Sequence, residues 1–304
     1  MTLTNFPFKT TPSDHAYCGG ADGLITCPIC VITDSIILEG DALTELKQLP
    51  NASVQCIVTS PPYWGLRDYD HPGQIGLEPT VTQFIDRLVS VFRESRRVLK
   101  DDGILWLNIG DGYTSGNRMS RSPDRKNPAR AMDIRPQTPQ GLKPKDMLGI
   151  PWRLAFALQD DGWYLRSDVI WHKPNAMPES VKDRPTRAHE YLFMFTKSER
   201  YYYDRTAVLG PNSRNARSVW EIPTRAYSGA HFATFPPKLV EPCKLASTSP
   251  GDLVLDPFFG AGTVGLVAQQ YQRRYVGIEL SPQYAALAAG RLFAQARKVD
   301  RIAA

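Results

Sequence analysis

Short apolar runs alternate along this chain with segments of helical periodicity. The runs predict buried strands, and segments with apolar residues three or four positions apart predict amphipathic helices between them. Strands are predicted at 36–39, 56–58, 104–109, 166–171, 191–195, 252–256 and 275–280. Helices are predicted at 42–49, 84–99, 147–158, 238–246 and 263–273 and from 281 onward, with Gly103 ending the second. Strands that alternate with helices in this way are typical of an α/β fold.

The strand at 56–58 is followed by the stretch 59–64, with the sequence TSPPYW. Because neither proline has an N–H and both fix φ, the sheet cannot continue and the chain must turn. Ligands of open α/β sheets bind at the carboxyl ends of strands, which is where this turn lies. A rigid loop followed by two aromatic rings suits a flat heterocycle. The simpler alternative is an ordinary turn after a strand.

The segment 252–280 contains a strand, a glycine-rich turn, a helix and a second strand that ends near Glu279. This order is typical of nucleotide binding, because glycine lets the backbone approach a ligand and the acid can bind a ribose diol. The GxGxxG spacing at 260–265 also fits NAD. The Asp256-Pro257 pair before the glycines and the lack of an evident hydride-transfer residue argue against NAD. Asp41, after the first strand, can accept from an amino group or simply cap the next helix.

Positive charge is concentrated in one segment of the chain. The 304 residues are 42% hydrophobic and 22% charged, ordinary values for a globular protein, and the net charge is +5. Residues 117–146 contain eight basic residues and three aspartates. The net charge of this segment therefore equals the net charge of the whole chain. The segment is also rich in Pro, Ser, Asn and Gln. It predicts a long basic loop that contacts phosphate backbones or, alternatively, a solvated insertion that binds nothing.

Residues 1–33 form an extension before the main domain and contain His15, Cys18, Cys27 and Cys30. One CxxC with two further ligand types allows a structural zinc site, but plain thiols are the favoured interpretation. Five cysteines in an intracellular chain of this length do not suggest a disulfide framework. No apolar run is long enough to span a bilayer, and the N-terminus lacks a signal-peptide core, so a cytoplasmic protein is expected.

Two motifs resemble those of a known family. The segment 256–263, DPFFGAGT, resembles the FxGxG motif of S-adenosylmethionine-dependent methyltransferases. The segment 60–63, SPPY, resembles the (D/N/S)PP(Y/F/W) motif of DNA amino-methyltransferases, and its position before FxGxG resembles the β group of that family. The segment 231–236 resembles the motif that precedes FxGxG in this group, except that Phe232 replaces the usual proline. The resemblance extends over residues 34–295.

The resemblance implies an α/β fold, the permuted, Rossmann-like fold of S-adenosylmethionine-dependent methyltransferases. Such a fold has a mostly parallel seven-stranded sheet with one antiparallel strand and helices on both faces. Residues 34–304 would form the catalytic domain, with the basic insertion at 112–146 and target-recognition loops at 175–189 and 204–225.

The resemblance also implies an activity. This is site-specific transfer of a methyl group from S-adenosyl-L-methionine to the exocyclic amine of a DNA base flipped out of the duplex. In the family SPPY favours cytosine N4, and adenine N6 is the alternative. Double-stranded DNA is the implied partner, while a homodimer and a cognate endonuclease of a restriction-modification system stay open. The implied source is bacterial, archaeal or phage.

The resemblance assigns the catalytic role to the SPPY segment. Ser60 and the Pro61 carbonyl would accept hydrogens of the target amine, the rigid Pro61-Pro62 pair would hold them in place, and Tyr63 would stack on the base. The implied DNA contacts are Trp64, Arg118, Arg121, Arg125, Lys126, Arg130, Arg184 and Arg187.

The implied cofactor contacts come from several strand ends. Asp41 would contact the adenine amine, Glu279 the ribose hydroxyls and Asp256 the methionine end. The other implied cofactor contacts are Phe235, Pro236, Phe258, Phe259, Gly260, Gly262 and Thr263.

Two other functions compete with this assignment. A C5-cytosine methyltransferase needs a nucleophilic cysteine, typically after a proline, and Pro242-Cys243 occurs here, although inside a predicted helix. A non-catalytic nucleic-acid-binding module could use the same fold, but the intact SPPY segment and the intact Gly260 and Gly262 argue against it.

Overall fold

The computed structural model describes residues 35–66, 71, 73–114, 138, 141–179, 181–224 and 235–303, and from 297 onward the backbone alone. Eight strands and six α-helices occur in these residues. The strands are β1 (Ile36–Glu39), β2 (Val54–Thr59), β3 (Leu99–Ile109), β4 (Tyr164–His172), β5 (His189–Thr196), β6 (Val219–Glu221), β7 (Leu253–Asp256) and β8 (Arg274–Glu279). The helices are α1 (Ala42–Gln48), α2 (Val81–Val98), α3 (Ile150–Asp160), α4 (Pro237–Ser247), α5 (Thr263–Gln270) and α6 (Pro282–Ala303).

The strands form one mostly parallel sheet in the order β1-β8-β7-β2-β3-β5-β4-β6. Every neighbouring pair is parallel except the two that β5 makes with β3 and β4, so β5 is the single antiparallel strand of the described sheet. The predicted fold class, with a mostly parallel sheet and one antiparallel strand, is confirmed.

The described sheet has eight strands where seven were expected. The additional strand is β6, which lies at the sheet edge and pairs with β4 through Ile170 opposite Val219. It has three residues within a segment of little periodicity. Periodicity cannot identify so short a strand, because three residues do not distinguish alternation from chance.

Helices cover both faces of the sheet. Side chains of β2 alternate between two apolar clusters, because successive residues of a strand point to opposite faces. Ile57 packs in the cluster that contains α1, α2 and α3, whereas Cys56 and Val58 pack in the cluster that contains α4, α5 and α6. All six residues of β2 are buried, which explains why the run 56–58 in its middle is continuously apolar instead of alternating.

Several predicted helix boundaries were wrong: the second helix begins at Val81 instead of 84, the fifth ends at Gln270 instead of 273, and two further differences have an identifiable cause. The second helix ends at Val98, and β3 begins directly at Leu99, so Gly103 lies inside a strand and ends no helix. The apolar Val98-Leu99 pair fits both a last helical turn and a first strand residue. An added Cβ at Gly103 would lie 2.9 Å from the Gln55 oxygen, so close packing against β2 explains the glycine. The third helix begins at Ile150 instead of 147, after Gly149 with a φ of 68°.

The carboxyl ends of the parallel strands meet at one edge of the sheet, together with the amino end of β5. Several predicted catalytic and cofactor residues, among them Ser60, Asp256 and Glu279, lie at or just after these ends and therefore along this edge. No helix in the described part of the chain is long and apolar enough to cross a membrane.

Candidate active site

A short hydrogen bond ties the end of β2 to the end of β7. Thr59 Oγ1 donates to Asp256 Oδ1 at 2.6 Å, and the backbone N–H of Phe258 donates to the same oxygen at 3.0 Å. Burial raises the pKa of Asp256 to about 7, and both hydrogen bonds oppose that rise. The bond holds two turns beside each other: the proline turn (60–63) after β2 and the glycine turn (257–262) after β7.

Glu279, at the end of β8, closes the glycine turn. It accepts from the N–H of Gly260 at 2.7 Å and from that of Ser281 at 2.9 Å. Burial raises the pKa of Glu279 above its ordinary value, and the backbone donors oppose the shift. Gly260 and Gly262 have φ angles of 51° and 74°, in the left-handed region that favours glycine. An added Cβ at Gly260 would approach only the Phe258 oxygen, at 4.0 Å, so the backbone here borders open space.

The two phenylalanines of the glycine turn pack differently. Phe259 is buried, with its ring stacked on Tyr275 at a centroid distance of 5.7 Å. The same ring lies over Gly277, where an added Cβ would be 2.3 Å away. Phe258 is partly buried and meets Phe92 edge-on, with centroids 6.5 Å apart. The ring of Phe259 therefore supports the turn from the protein core.

The remaining predicted cofactor residues lie around the same edge. Asp41 caps α1: its Oδ1 accepts from the N–H and the hydroxyl of Thr44 at 3.0 and 2.9 Å. Asp41 is thus a helix cap, which is one of its two predicted roles. Its carboxylate lies at the ligand-binding edge of the sheet, so a contact with the cofactor stays a prediction. Phe235 packs half-buried against the cluster that contains α4, and Pro236 is the N-cap of that helix. Thr263 is buried and begins α5 directly after the glycine turn.

Four predicted site residues form an ordered row. The strands β1, β8, β7 and β2 are consecutive in the sheet. Glu279 and Asp256 are the last residues of β8 and β7, and Asp41 and Ser60 lie just after the ends of β1 and β2. Neighbouring strands are about 4.8 Å apart, so the row spans about 15 Å. An elongated ligand with an amine at one end, a ribose in the middle and an ammonium beyond it fits such a row of carboxylates. S-adenosyl-L-methionine has this constitution, and the backbone at Gly260 is open to a ligand's approach.

Tyr63 is anchored within the proline turn. Its hydroxyl donates to Glu190 Oε2 at 2.8 Å. Burial and then the charge of Glu190 hold the pKa of Tyr63 well above its ordinary value, while the Ser60 side chain and the Gly110 backbone oppose the shift. Tyr63 therefore stays a neutral donor at physiological pH. Its ring packs on Gly110, where an added Cβ would lie 2.9 Å from Cε2.

Three polar residues of this site, Asn108, Lys173 and Glu190, were not predicted from the sequence. Glu190 accepts from Tyr63, from Asn108 Nδ2 at 3.2 Å and from Lys173 Nζ. The three residues come from the ends of β3, β4 and β5. The only feature of the sequence that could have indicated these residues is the occurrence of a polar residue at the end of each apolar strand. The pairing of these strands, which brings the three together, could not be derived from one sequence.

Trp64 is tied into the protein. Its indole Nε1 donates to the Glu78 carbonyl at 2.8 Å, and its ring packs half-buried against the cluster of α1, α2 and α3. Glu78 in turn accepts from Gly76 at 2.8 Å and pairs with Arg87 at 3.3 Å. These contacts fold the following loop back on the proline turn and stabilise it. A DNA contact by Trp64 stays a prediction.

Arg184 and Arg187 have partners within the protein. The Arg184 guanidinium lies 3.8 Å from the centre of the Tyr113 ring and pairs with Glu179 at 2.6 Å. Arg187 lies 5.6 Å from the same ring and 3.7 Å from Asp111. These contacts join a predicted recognition loop to the end of β3 beside Tyr63. Contacts of the two arginines with DNA stay a prediction.

Several predicted residues lie outside the described part of the chain. These are the basic residues Arg118, Arg121, Arg125, Lys126 and Arg130, and the candidate zinc ligands His15, Cys18, Cys27 and Cys30.

Cys243 is badly placed to act as a nucleophile. It is fully buried inside α4, and its Sγ donates to the Leu239 carbonyl at 3.2 Å. Burial raises the pKa of Cys243 well above its ordinary value, whereas a nucleophilic cysteine needs the thiolate. This removes the sequence argument for a C5-cytosine methyltransferase.

Comparisons with known proteins agree with this fold and site. The sequence model of the DNA methylase family matches residues 54–290, and the chain belongs to that family. It is 65% identical over 289 residues to the Type II methyltransferase M.XycI of Xanthomonas campestris pv. cyanopsidis, covering 94% of this chain and 96% of the relative.

Two solved structures have the same fold. The cytosine-N4-specific PvuII DNA methyltransferase matches with a TM-score of 0.67 and 25% identity, covering 85% of this chain and 86% of its own. TTHA0409 of Thermus thermophilus, assigned as a DNA modification methylase and complexed with S-adenosyl-L-methionine, matches with a TM-score of 0.60 and 29% identity. That alignment covers 85% of this chain and 95% of the other.

Proposed function

We propose that this protein is a site-specific DNA methyltransferase that transfers a methyl group from S-adenosyl-L-methionine to the exocyclic amine of a flipped base, most favourably cytosine N4. The observation that carries the proposal is the ordered row of Asp41, Glu279, Asp256 and Ser60. The Thr59–Asp256 bond of 2.6 Å supports it, because it joins the cofactor side of the row to the proline turn.

The chain offers partners for three polar parts of the cofactor. Asp41 would hold the adenine amine, Glu279 the ribose hydroxyls and Asp256 the ammonium of the methionine end. S-adenosyl-L-methionine supplies an electrophilic methyl group when bound. The backbone of the glycine turn would line the space between these carboxylates.

The proline turn addresses the chemical weakness of the target. The lone pair of an exocyclic amine is delocalised into the ring, so the nitrogen is a poor nucleophile. The Ser60 hydroxyl and the Pro61 carbonyl would accept its hydrogens and localise the lone pair. The nitrogen would then form a bond to the methyl carbon as the bond from that carbon to sulfur breaks, with S-adenosylhomocysteine leaving and one amine proton being lost. Tyr63 would stack on the base. Because the methyl group would pass directly from the cofactor to the nitrogen, the reaction needs no covalent enzyme intermediate. The acceptors contribute by being held in position beforehand.

Cytosine N4 is favoured over adenine N6 by two observations. The first residue of the proline turn is serine, and the PvuII enzyme, which has the same fold at 25% identity, is cytosine-N4-specific. Adenine N6 is the second candidate, because a hydroxyl can accept from either amine.

Double-stranded DNA is the proposed partner. The basic insertion at 112–146 and the loops at 175–189 and 204–225 would contact its backbone and bases. The Type II relative M.XycI supports a place in a restriction-modification system, with a cognate endonuclease as functional partner. Because its substrate would be genomic DNA, we place the protein in the cytoplasm.

Methyl transfer from labelled S-adenosyl-L-methionine to mixed-sequence duplex DNA tests the proposal. Ser60→Ala and Tyr63→Ala should each slow transfer by about 100-fold or more, while calorimetry shows cofactor binding close to that of the wild type. Ser90→Ala on α2 and Tyr164→Ala on β4 are matched controls that should keep full activity. Wild-type rates in both proline-turn variants would refute the site.

A further inference from the structure

Glu190 is the common acceptor of three side chains from three different parts of the chain. Its Oε2 accepts from the Tyr63 hydroxyl at 2.8 Å and from Asn108 Nδ2 at 3.2 Å, and its Oε1 pairs with Lys173 Nζ. The side chains of Glu190 and Lys173 are each 17% exposed, so water competes little for these bonds.

The surroundings of Glu190 restrict its movement. Asn108 also donates to the Tyr191 carbonyl at 3.1 Å, which fixes the amide that holds Glu190. Lys173 lies 4.1 Å from the centre of the Trp171 ring. Gly110 faces both Tyr63 and Glu190, since an added Cβ would lie 2.9 Å from Tyr63 Cε2 and 3.2 Å from Glu190 Cγ.

We propose that Glu190 is a positioning residue that fixes the Tyr63 ring in the orientation that receives the flipped base, with Lys173 as its countercharge. The inference rests on the proposed function. It adds to the proposed catalytic site a residue, Glu190, on which the orientation of Tyr63 depends.

The physical reason is preorganisation. A tyrosine side chain has two rotatable bonds, and ordering it when the base arrives would cost conformational entropy at that moment. The bond to Glu190 orders the ring beforehand. Glu190 accepts a hydrogen bond from the Tyr63 hydroxyl. Glu190 can therefore orient the Tyr63 ring without touching the base or the cofactor.

A double-mutant cycle tests this positioning role. Glu190→Ala should lower kcat for DNA methylation by about 10- to 100-fold, because small misplacements of a reacting group are costly. Glu190→Gln should recover part of the rate, since its amide oxygen can still accept from Tyr63. In a Tyr63→Phe background the bond is already missing, so the same Glu190 changes should cost no more than about twofold further.

Two further readouts and a control variant accompany the cycle. The dissociation constant of S-adenosyl-L-methionine should be unchanged in every variant, because the cofactor residues lie on other strands. The thermal unfolding transition of each Glu190 variant shows whether it folds as the wild type does. The cycle is evaluated with the variants that do. Glu94→Gln is the matched control: this glutamate, on α2, pairs with Arg97 at 2.7 Å, with its side chain 22% exposed. It should keep the wild-type kcat.

The outcomes separate the inference from the proposed function. No transfer by the wild type would refute the function. Transfer by the wild type with wild-type kcat in Glu190→Ala and Glu190→Gln would refute the inference alone. A full Glu190 effect that persists in the Tyr63→Phe background would also overturn it, since Glu190 would then act by another route.

Discussion

Thr59 Oγ1 and Asp256 Oδ1, which are 197 positions apart in the sequence, are joined by a buried hydrogen bond of 2.6 Å. The bond connects the ends of two adjacent strands, β2 and β7, just before each chain turns out of the sheet. One turn would hold the methyl acceptor and the other the methyl donor. Their relative position is therefore fixed by the sheet and this bond before any ligand is present.

Removing the Thr59 hydroxyl should weaken both folding and cofactor binding. Thr59→Val leaves the buried Asp256 without one donor, which should lower the free energy of unfolding by about 1–3 kcal/mol. The less restrained carboxylate should raise the dissociation constant of S-adenosyl-L-methionine about tenfold. Urea unfolding and calorimetry measure the two effects.

Thr196→Val is a matched control for that experiment. Thr196 is fully buried at the end of β5, and its hydroxyl donates to the Ser198 carbonyl at 2.7 Å. It should lose a similar amount of stability and keep the wild-type cofactor affinity. Equal loss of affinity in the two variants would show that the Thr59–Asp256 bond has no particular role at the site.

The raised pKa of Asp256 predicts a pH dependence of stability. Its value is about 7 in the folded protein against 3.8 as reference, so the folded state binds a proton that the unfolded state has lost between these values. Stability from this group is therefore fully present below pH 4 and is lost as the pH rises through 7. Relative to Asp256→Asn, the wild type should lose at most about 1.4 kcal/mol per pH unit between pH 5 and 7.

Urea unfolding of both proteins at closely spaced pH values measures that difference. Above pH 8 the difference should be constant, because Asp256 is then ionised in both states. A difference that is flat from pH 5 to 7 would contradict the account of Asp256 as a carboxyl whose charge is disfavoured by burial.

Gly277 should be required by the ring of Phe259. In Gly277→Ala the new Cβ would lie 2.3 Å from that ring, so the ring must move and the glycine turn must move with it. We expect a loss of about 1–3 kcal/mol in the free energy of unfolding, typical of overpacking, and weaker cofactor binding. Thermal unfolding and calorimetry test this.

Gly290→Ala on α6 is the corresponding control. An added Cβ there meets nothing within 4 Å, and the residue is exposed in a helix. Alanine should be neutral or stabilising by up to about 1 kcal/mol, with unchanged cofactor binding. If Gly277→Ala behaves in the same way, the packing account of the glycine turn is wrong.

The two turns were predictable because their chemistry is local. Two prolines end β2 whatever the rest of the chain does, and Gly260 and Gly262 allow φ angles that other residues avoid. Each turn is thus determined by a few consecutive residues. Their placement at one edge followed from the rule that ligands of such sheets bind at the carboxyl ends of strands.

The residues around Glu190 were not predictable, because their contacts depend on strand pairing. Tyr63 and Glu190 are 127 positions apart, and they meet only because β5 runs antiparallel beside β3. The edge strand β6 was missed for the same reason, since it is defined by its pairing with β4 and not by its own pattern. Asp41 was ambiguous locally, because a helix cap and a ligand contact need the same carboxylate at the same place.

The most direct test of the account is the identity of the methylated base. Duplex DNA methylated by the purified protein would be digested to nucleosides and analysed by mass spectrometry, with Ser60→Ala protein as the matched control. The account predicts N4-methylcytosine with the wild type and a strong reduction with the variant. N6-methyladenine alone would contradict the proposed base, and DNA without any methylated nucleoside would contradict the proposed function.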